Sequence, residues 1–170
     1  MRALGSSICL LTLAFMLGAC CDPDAGIEPG DGCKPCPVQI TRGKITSIKF
    51  EDFFMRHQQG DLLLIDSRHR WFFNQGRIPG AVNLPTGEKL DDDLTKLMPD
   101  LRHALSHKRI IVVYCNGFGC HDARTAARAI SKQGIDVHVF GGGWKAWKKC
   151  GLPVESASKE EADLSPQPAS

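Results

Sequence analysis

The sequence has very little excess charge. Its 21 lysine and arginine residues nearly balance its 19 aspartate and glutamate residues, which leaves a formal net charge of +2 at pH 7. Proteins that bind nucleic acid usually show a marked basic excess, because basic side chains attract the phosphate backbone. The composition therefore gives no reason to expect a nucleic-acid partner.

The sequence also lacks a hydrophobic run long enough for a comfortable membrane span. The most apolar segment, residues 8–17, has about half of the roughly 20 residues that a spanning helix needs. It follows a basic start at Arg2 and ends in Leu-Gly-Ala-Cys at residues 17–20. Residues 1–19 are therefore predicted to be an export signal. Residues 17–20 resemble the bacterial lipobox, which implies that Cys20 is lipidated and begins the mature chain.

Two interpretations of this N-terminus stay open. In the first, acyl chains on Cys20 hold an extracytoplasmic protein to a membrane, so that it resides at the cell membrane or in the periplasm. In the second, a simple secretory signal is cleaved after Ala19 and leaves no anchor. Lipidation is favoured because small residues and a cysteine fall together at the end of the apolar run. The sequence does not distinguish the inner from the outer membrane.

The eight cysteines of the sequence are not equivalent. Cys9 leaves with the export signal, and Cys20 is predicted to be acylated. Export implies an oxidising compartment in which the remaining thiols tend to pair, although the sequence does not say which ones. Cys33 and Cys36 have redox or metal-ligand spacing, but two cysteines alone do not make a metal site, and no strand-to-helix context surrounds them. A local disulfide or two free thiols is preferred over a redox role, and no metal is expected.

The chain is predicted to contain one folded domain between two irregular segments. Residues 20–43 are rich in turn-forming residues and are predicted to form a flexible tether. Residues 156–170 are small and polar with two prolines, which predicts a disordered tail. The folded domain is therefore placed at residues 44–155.

Strands and helices alternate within this domain. Predicted strands lie near residues 45–48, 62–65, 82–84, 110–114 and 137–140, and predicted helices near residues 50–57, 71–75, 93–107, 124–133 and 144–149. The all-apolar strands are typical of a sheet that is covered on both faces. The pattern predicts an α/β fold with a central parallel sheet flanked by helices. Pro99 predicts that the helix at 93–107 is broken or consists of two short helices.

Cys115 ends the central predicted strand and precedes a loop that contains Gly117 and Gly119. Ligands of parallel α/β sheets bind at the carboxyl ends of the strands. Backbone N–H groups converge there, and the positive end of the next helix dipole favours a thiolate over a thiol. The position therefore suits a nucleophile, although a lone cysteine at a strand can also be a buried structural residue.

Several segments together resemble the rhodanese-like domain family. They occur in the family's order and are residues 64–68, 76–81, 113–115, 142–147 and 151–154. The resemblance covers roughly residues 44–155 and implies a single-domain sulfurtransferase in which Cys115 is the nucleophile. Cys115 would take sulfane sulfur from a donor such as thiosulfate, and the resulting persulfide would pass it to a thiol or cyanide. The implied partners are a small-molecule sulfur donor and a thiol acceptor, with no metal and no organic cofactor. A monomer is expected, as for many single domains of this size, although the sequence itself does not report the oligomeric state.

The resemblance implies that the loop after Cys115 binds the anionic substrate. Its backbone can surround the sulfur with N–H donors, because the glycines let the chain curl. The predicted substrate-binding residues are Asn116, Gly117, Phe118, Gly119, Cys120, His121 and Arg124. The sequence departs from the family in a loop about two residues longer, in the second loop cysteine, and in Arg77, which stands where many members have histidine.

Several roles near the loop stay open. Cys120 either resolves a persulfide on Cys115 into a disulfide, protects the site from over-oxidation, or is passive. His121 and Arg124 either act on the substrate or are solvated surface residues. Asp66 and Arg68 are predicted to form an ion pair that supports the site, in preference to a substrate-binding pair.

Three other functions compete with sulfur transfer. One is a non-catalytic sulfur-carrier or binding module, and another is a thiol redox protein that uses Cys115 and Cys120. Phosphatase or arsenate-reductase chemistry is disfavoured, because those related families have His-Cys followed by five residues and an arginine. Tyr114 precedes the cysteine here, and His121 occupies the arginine position, so an oxyanion would lack its guanidinium clamp.

Overall fold

The computed structural model describes residues 41–157, which form an α/β fold around one sheet. The predicted export signal, Cys20, most of the tether with Cys33 and Cys36, and nearly all of the predicted tail lie outside the described residues. The elements are β1 (Ile45–Ser47), α1 (Phe50–Gln59), β2 (Leu62–Asp66), α2 (Arg70–Gln75), β3 (Ala81–Asn83), α3 (Leu90–Ser106), β4 (Ile110–Tyr114), α4 (Asp122–Ser131), β5 (Val137–Phe140) and α5 (Gly143–Lys149).

The five strands pair in the order β1-β5-β4-β2-β3, and every pairing is parallel. The predicted fold class is confirmed, and the strand at 110–114 is central as predicted. Because the strands are parallel, the carboxyl ends of β2, β4 and β5 lie at one edge. Asp66 pairs in register with Tyr114, and Tyr114 with Phe140.

Helices cover both faces of the sheet and bury two apolar layers. Side chains alternate along β4, so Ile111 and Val113 face one layer while Val112 and Tyr114 face the other. The first layer holds the apolar faces of α3 and α4, and the second holds Phe53 of α1 with other aromatic side chains. This two-sided burial explains why β2 and β4 are almost wholly apolar.

The prediction that Pro99 interrupts the third helix is wrong, because α3 runs unbroken from Leu90 to Ser106. Leu94 and Leu101 are buried on either side of the proline, so packing against the sheet holds the two halves in line. Pro99 itself is exposed, and so is Thr95, the residue whose carbonyl loses its helical donor. Water can therefore satisfy that carbonyl. Leu105 shares the helical spacing of Leu94, Leu97 and Leu101 but lies at the end of α3 and is 44% exposed.

Within residues 41–157, no helix combines the length and the apolar character that a membrane crossing requires.

Arg77 joins the end of the domain to the turn before β3. Its backbone pairs with that of Glu155, and its guanidinium donates to the Glu155 carboxylate, with 2.5 Å between Nη2 and Oε1. The amide of Gly80 donates to the other carboxylate oxygen at 3.0 Å. The Gly80 amide and then the Arg77 guanidinium hold the pKa of Glu155 below its usual range. The departure from histidine at position 77 therefore belongs to a structural clamp.

We expect the clamp to stabilise the fold only while Glu155 is ionised. A lowered folded-state pKa contributes stability above the unfolded pKa, and that contribution is lost as the pH falls through the folded value. Glu155→Gln should reduce the free energy of unfolding at neutral pH by up to about 1 kcal/mol, because the carboxylate is partly exposed. Urea unfolding at neutral and strongly acidic pH measures this, with the exposed Glu88→Gln as the control. An equal loss at both pH values would contradict the clamp.

Candidate active site

Cys115 directly follows β4 and lies at the carboxyl edge of the sheet. Its side chain belongs to the apolar layer formed with α3 and α4, and the residue is only 3% exposed. The adjoining loop, residues 116–121, is mostly exposed and leads into α4. Cys115 is therefore a buried sulfur at the inner end of an accessible loop.

The start of α5 holds this loop by direct backbone contact. The amide of Trp144 donates to the Cys115 carbonyl at 2.9 Å, and the amide of Lys145 donates to the Asn116 carbonyl at 2.8 Å. Gly143 makes the approach possible, because a Cβ there would overlap the Cys115 carbonyl oxygen and lie 2.9 Å from the Gly117 nitrogen. Gly143 also has φ +56°, a backbone conformation that residues with a side chain rarely adopt.

The loop leaves most of its own amide groups without a backbone or side-chain acceptor. Among residues 116–121, only the Cys120 amide has an acceptor in the described structure, the Gly117 carbonyl at 3.1 Å. Gly119 has φ +83°, so the loop turns through a left-handed residue. Successive amides around such a turn form the kind of concave donor array that binds anions.

A disulfide joins Cys115 to Cys120 within this loop, with 6.3 Å between the Cα atoms. In the structure, the sulfur of Cys120 is therefore bonded to the candidate nucleophile, Cys115. Cys120 is partly buried against the same apolar layer as Cys115.

Asp122 lies beside both sulfurs. It is the first residue of α4, two residues earlier than the predicted helix start, and its Oδ2 atom is 3.7 Å from Cys115 Sγ and 3.6 Å from Cys120 Sγ. The two thiols and this carboxylate could together contact a metal ion, since their donor atoms lie within 4.8 Å of one another. While the disulfide is formed, however, the sulfurs are engaged with each other.

A cavity of about 990 Å³ opens beside the loop. Cys115 and Cys120 contribute to its wall, and exposed cations border it from three helices: Lys49 next to α1, Arg124 and Arg128 on α4, and Lys149 on α5. The structure places the predicted residues His121 and Arg124 at this cavity, where both are exposed. Phe118, at the tip of the loop, is 89% exposed.

Asp66 and Arg68 form a buried pair next to the loop rather than in the cavity. Arg68 Nη2 lies 2.6 Å from Asp66 Oδ2, and it also donates to the Gly76 carbonyl at 2.7 Å. The guanidinium stacks over the ring of Trp144, with 4.8 Å to the ring centroid. Burial, followed by the Asp66 carboxylate, raises the pKa of Tyr114 well above its usual range. Arg68 thus neutralises a buried carboxylate and packs on the side chain of Trp144, the residue whose amide holds the loop.

Sequence reasoning did not single out Asp122, Arg128, Lys49 or Cys150 as parts of this region. Arg128 follows Arg124 by four residues, which is the spacing of one helix face, so that signal was available. Cys150 is a free and exposed thiol at the rim of the cavity.

Comparison with known proteins gives consistent results. The family profile described as "Rhodanese-like domain" matches residues 52–150. The chain is 34% identical over 107 residues to the HTH-type transcriptional regulator Rv0324 of Mycobacterium tuberculosis, covering 63% of this chain and 43% of that protein. It is 38% identical over 80 residues to the putative thiosulfate sulfurtransferase SseB of the same species, covering 42% of this chain and 27% of that protein.

Among solved structures, the BH2092 protein from Bacillus halodurans superposes with a TM-score of 0.55 at 28% identity, covering 70% of this chain and 82% of that one. The chain spans less than half the length of the curated relatives that it matches. The activities of those whole proteins are therefore not assigned to this chain.

Gly143→Ala should displace the loop and destabilise the domain. The positive φ costs about 1–2 kcal/mol for a residue with a Cβ, and the overlap with the Cys115 carbonyl should add about 1–3 kcal/mol. Gly119→Ala is the matched control, because Gly119 also has positive φ but has nothing within 4 Å of an added Cβ. Urea unfolding of both variants measures the difference, and equal losses would show that the close approach is unimportant.

Proposed function

Because this chain belongs to the rhodanese-like domain family, we propose that it is a sulfurtransferase that moves sulfane sulfur from thiosulfate to a thiol or cyanide. One observation carries the proposal. Cys115 is the residue that the family pattern makes the nucleophile, and it lies at the carboxyl edge of the sheet, within a loop whose amides are largely unpaired. Parallel sheets present their reactive groups at this edge.

The proposed reaction begins with the reduced loop, after the Cys115–Cys120 disulfide has been opened. The Cys115 thiolate attacks the outer sulfur of thiosulfate, the bond between the two donor sulfurs breaks, and sulfite leaves with the electron pair. Cys115 then carries a persulfide. An external thiol or cyanide attacks the outer sulfur and takes it, which returns the Cys115 thiolate.

Loop and rim support the proposal electrostatically. Thiosulfate and the persulfide are both anionic, and the unpaired amides of residues 116–119 and 121 can stabilise negative charge without reorganisation. The cations of the cavity, among them Arg124, raise the local concentration of an anionic donor. In this proposal Asn116, Gly117, Phe118, Gly119, Cys120, His121 and Arg124 form the substrate-binding region, while Asp66 and Arg68 support it.

A thiol redox function is the second candidate. The Cys115–Cys120 disulfide favours it specifically, because a reversible loop disulfide is what such a protein would exchange with its partner.

We also propose that the protein is exported and anchored by acyl chains on Cys20, outside the cytoplasm. The apolar run at residues 8–17 and the Leu-Gly-Ala-Cys ending support this. An anchor at Cys20 followed by a turn-rich segment would hold the sulfur chemistry near a membrane surface.

Sulfur transfer is tested by incubating the reduced full chain with thiosulfate under anaerobic conditions and mapping its peptides by mass spectrometry. We expect release of sulfite from the wild-type chain and from Cys120→Ser, and a gain of one sulfur atom on Cys115 in Cys120→Ser, which has no neighbouring thiol to remove it. Cys115→Ser should show neither, and Cys33→Ser, in the predicted tether, should behave as the wild type. A wild-type chain that releases no sulfite, together with a Cys120→Ser chain that gains no sulfur at Cys115, would contradict sulfurtransferase activity with this donor.

Lipidation is tested with labelled fatty acid in a bacterial host. The wild-type chain should incorporate the label and sediment with membranes, whereas Cys20→Ala should do neither. Cys21→Ala is the matched control, since the neighbouring cysteine lies beyond the lipobox. Membrane attachment that survives Cys20→Ala would overturn this anchor.

A further inference from the structure

The candidate nucleophile has a thiol partner in its own loop. Cys120 reaches Cys115 closely enough to form a covalent bond, and the Cα separation of 6.3 Å lies within the range that disulfides require. Cys115 is 3% exposed, so an external thiol has to enter the cavity to reach its sulfur, while Cys120 is already in contact.

We propose that Cys120 is the second nucleophile of this site, which reduces the persulfide on Cys115 to hydrosulfide and leaves the Cys115–Cys120 disulfide as the product. The inference rests on the proposed function, because it starts from the persulfide. It makes the protein a thiosulfate reductase whose electron donor is a dithiol, rather than a carrier that hands sulfane sulfur to a monothiol.

Each step balances in atoms and electrons. The Cys120 sulfur attacks the inner sulfur of the persulfide, which is Cys115 Sγ. The bond between Cys115 Sγ and the outer sulfur breaks, and the outer sulfur leaves with the electron pair and the thiol proton of Cys120 as hydrosulfide. The outer sulfur is reduced, and the two cysteine sulfurs are oxidised to the disulfide. A dithiol then reduces the disulfide by two exchange steps and becomes a cyclic disulfide itself.

Proximity decides between the two fates of the persulfide. An intramolecular nucleophile held in position acts at an effective concentration far above that of any free thiol. Hydrosulfide is also a better leaving group than an alkyl thiolate, because hydrogen sulfide is the stronger acid. In the structure, Cys120 Sγ contacts Cys115 Sγ, which is the inner sulfur of the persulfide, and not the position of the outer sulfur. Attack at the inner sulfur therefore gives the bond that is observed.

Asp122 is positioned to transfer the proton in this step. Its Oδ2 atom lies 3.6 Å from Cys120 Sγ and 3.7 Å from Cys115 Sγ, within reach of a thiol proton once the loop is reduced. The carboxylate can take the proton from Cys120 as it attacks and return it to the departing sulfur, which leaves from the other cysteine. General acid–base catalysis is most effective when one group touches both sites of proton transfer.

The test is a single turnover without any external thiol. The full chain is reduced with dithiothreitol, freed of it under anaerobic conditions, and mixed with thiosulfate. We expect wild-type protein to release about one hydrosulfide per Cys115–Cys120 disulfide formed, at a rate independent of protein concentration. Cys120→Ser should accumulate the persulfide and release hydrosulfide only after dithiothreitol is added. Cys33→Ser, in the predicted tether, should match the wild type, and reduced protein without thiosulfate should stay reduced.

The outcomes separate this inference from the proposed function. A persulfide that persists in the wild-type protein as it does in Cys120→Ser would overturn the inference and leave sulfur transfer standing. If neither protein gains a sulfur at Cys115, the proposed function fails and the inference fails with it. Hydrosulfide release whose rate rises with protein concentration would assign the step to a second molecule and would also overturn the inference.

Asp122→Asn separates proton transfer from structure. The variant keeps the shape of the side chain, so persulfide should still form on Cys115, but the hydrosulfide step should slow by roughly 10²-fold. Raising the pH should restore the rate, because Cys120 then loses its proton without help. A slow rate that high pH does not rescue would assign Asp122 a structural role only.

Discussion

The candidate site depends on the backbone contact between the start of α5 and the loop that follows β4. The Trp144 amide holds the Cys115 carbonyl, and Gly143 lets the two chain segments approach more closely than any side chain would allow. Arg68 supports this contact, because its guanidinium is held by Asp66 and stacks on the ring of Trp144. The geometry of the loop is therefore set by Gly143, which lies 28 positions after Cys115 in the chain. It is also set by the Asp66–Arg68 ion pair, whose charges compensate each other inside the protein.

Much of the fold could be predicted from the sequence, because two-sided burial leaves a strong pattern. The apolar runs gave β2, β4 and β5 almost to the residue, and the position of Cys115 after β4 followed from them. The predicted break at Pro99 is wrong because helix propensity is a local property, whereas the packing of α3 on the sheet involves residues far away in the chain. Asp122 was missed for a related reason, since α4 starts before its run of small residues and turns the carboxylate toward the sulfurs.

The charges of the site are divided between two distances from the sulfur. Exposed cations, such as Arg124 and Arg128, border the cavity, while the one carboxylate that touches the sulfurs belongs to Asp122. Positive charge at the rim favours the arrival of an anion, and a proton acceptor at the sulfur favours thiol chemistry after arrival. Sequence composition could not show this division, because the net charge of +2 averages over it.

The order of the chain has a consequence for how the site matures. Cys115 and Cys120 are synthesised before the segment that carries Gly143 and Trp144. Domains acquire their long-range contacts only when the distant segment is present. During that interval, the segment that carries the two cysteines lacks the backbone hydrogen bonds from α5. The Cys115–Cys120 pair spans a sequence separation of only 5, so, unlike the contact with Gly143 and Trp144, it does not depend on the last helix.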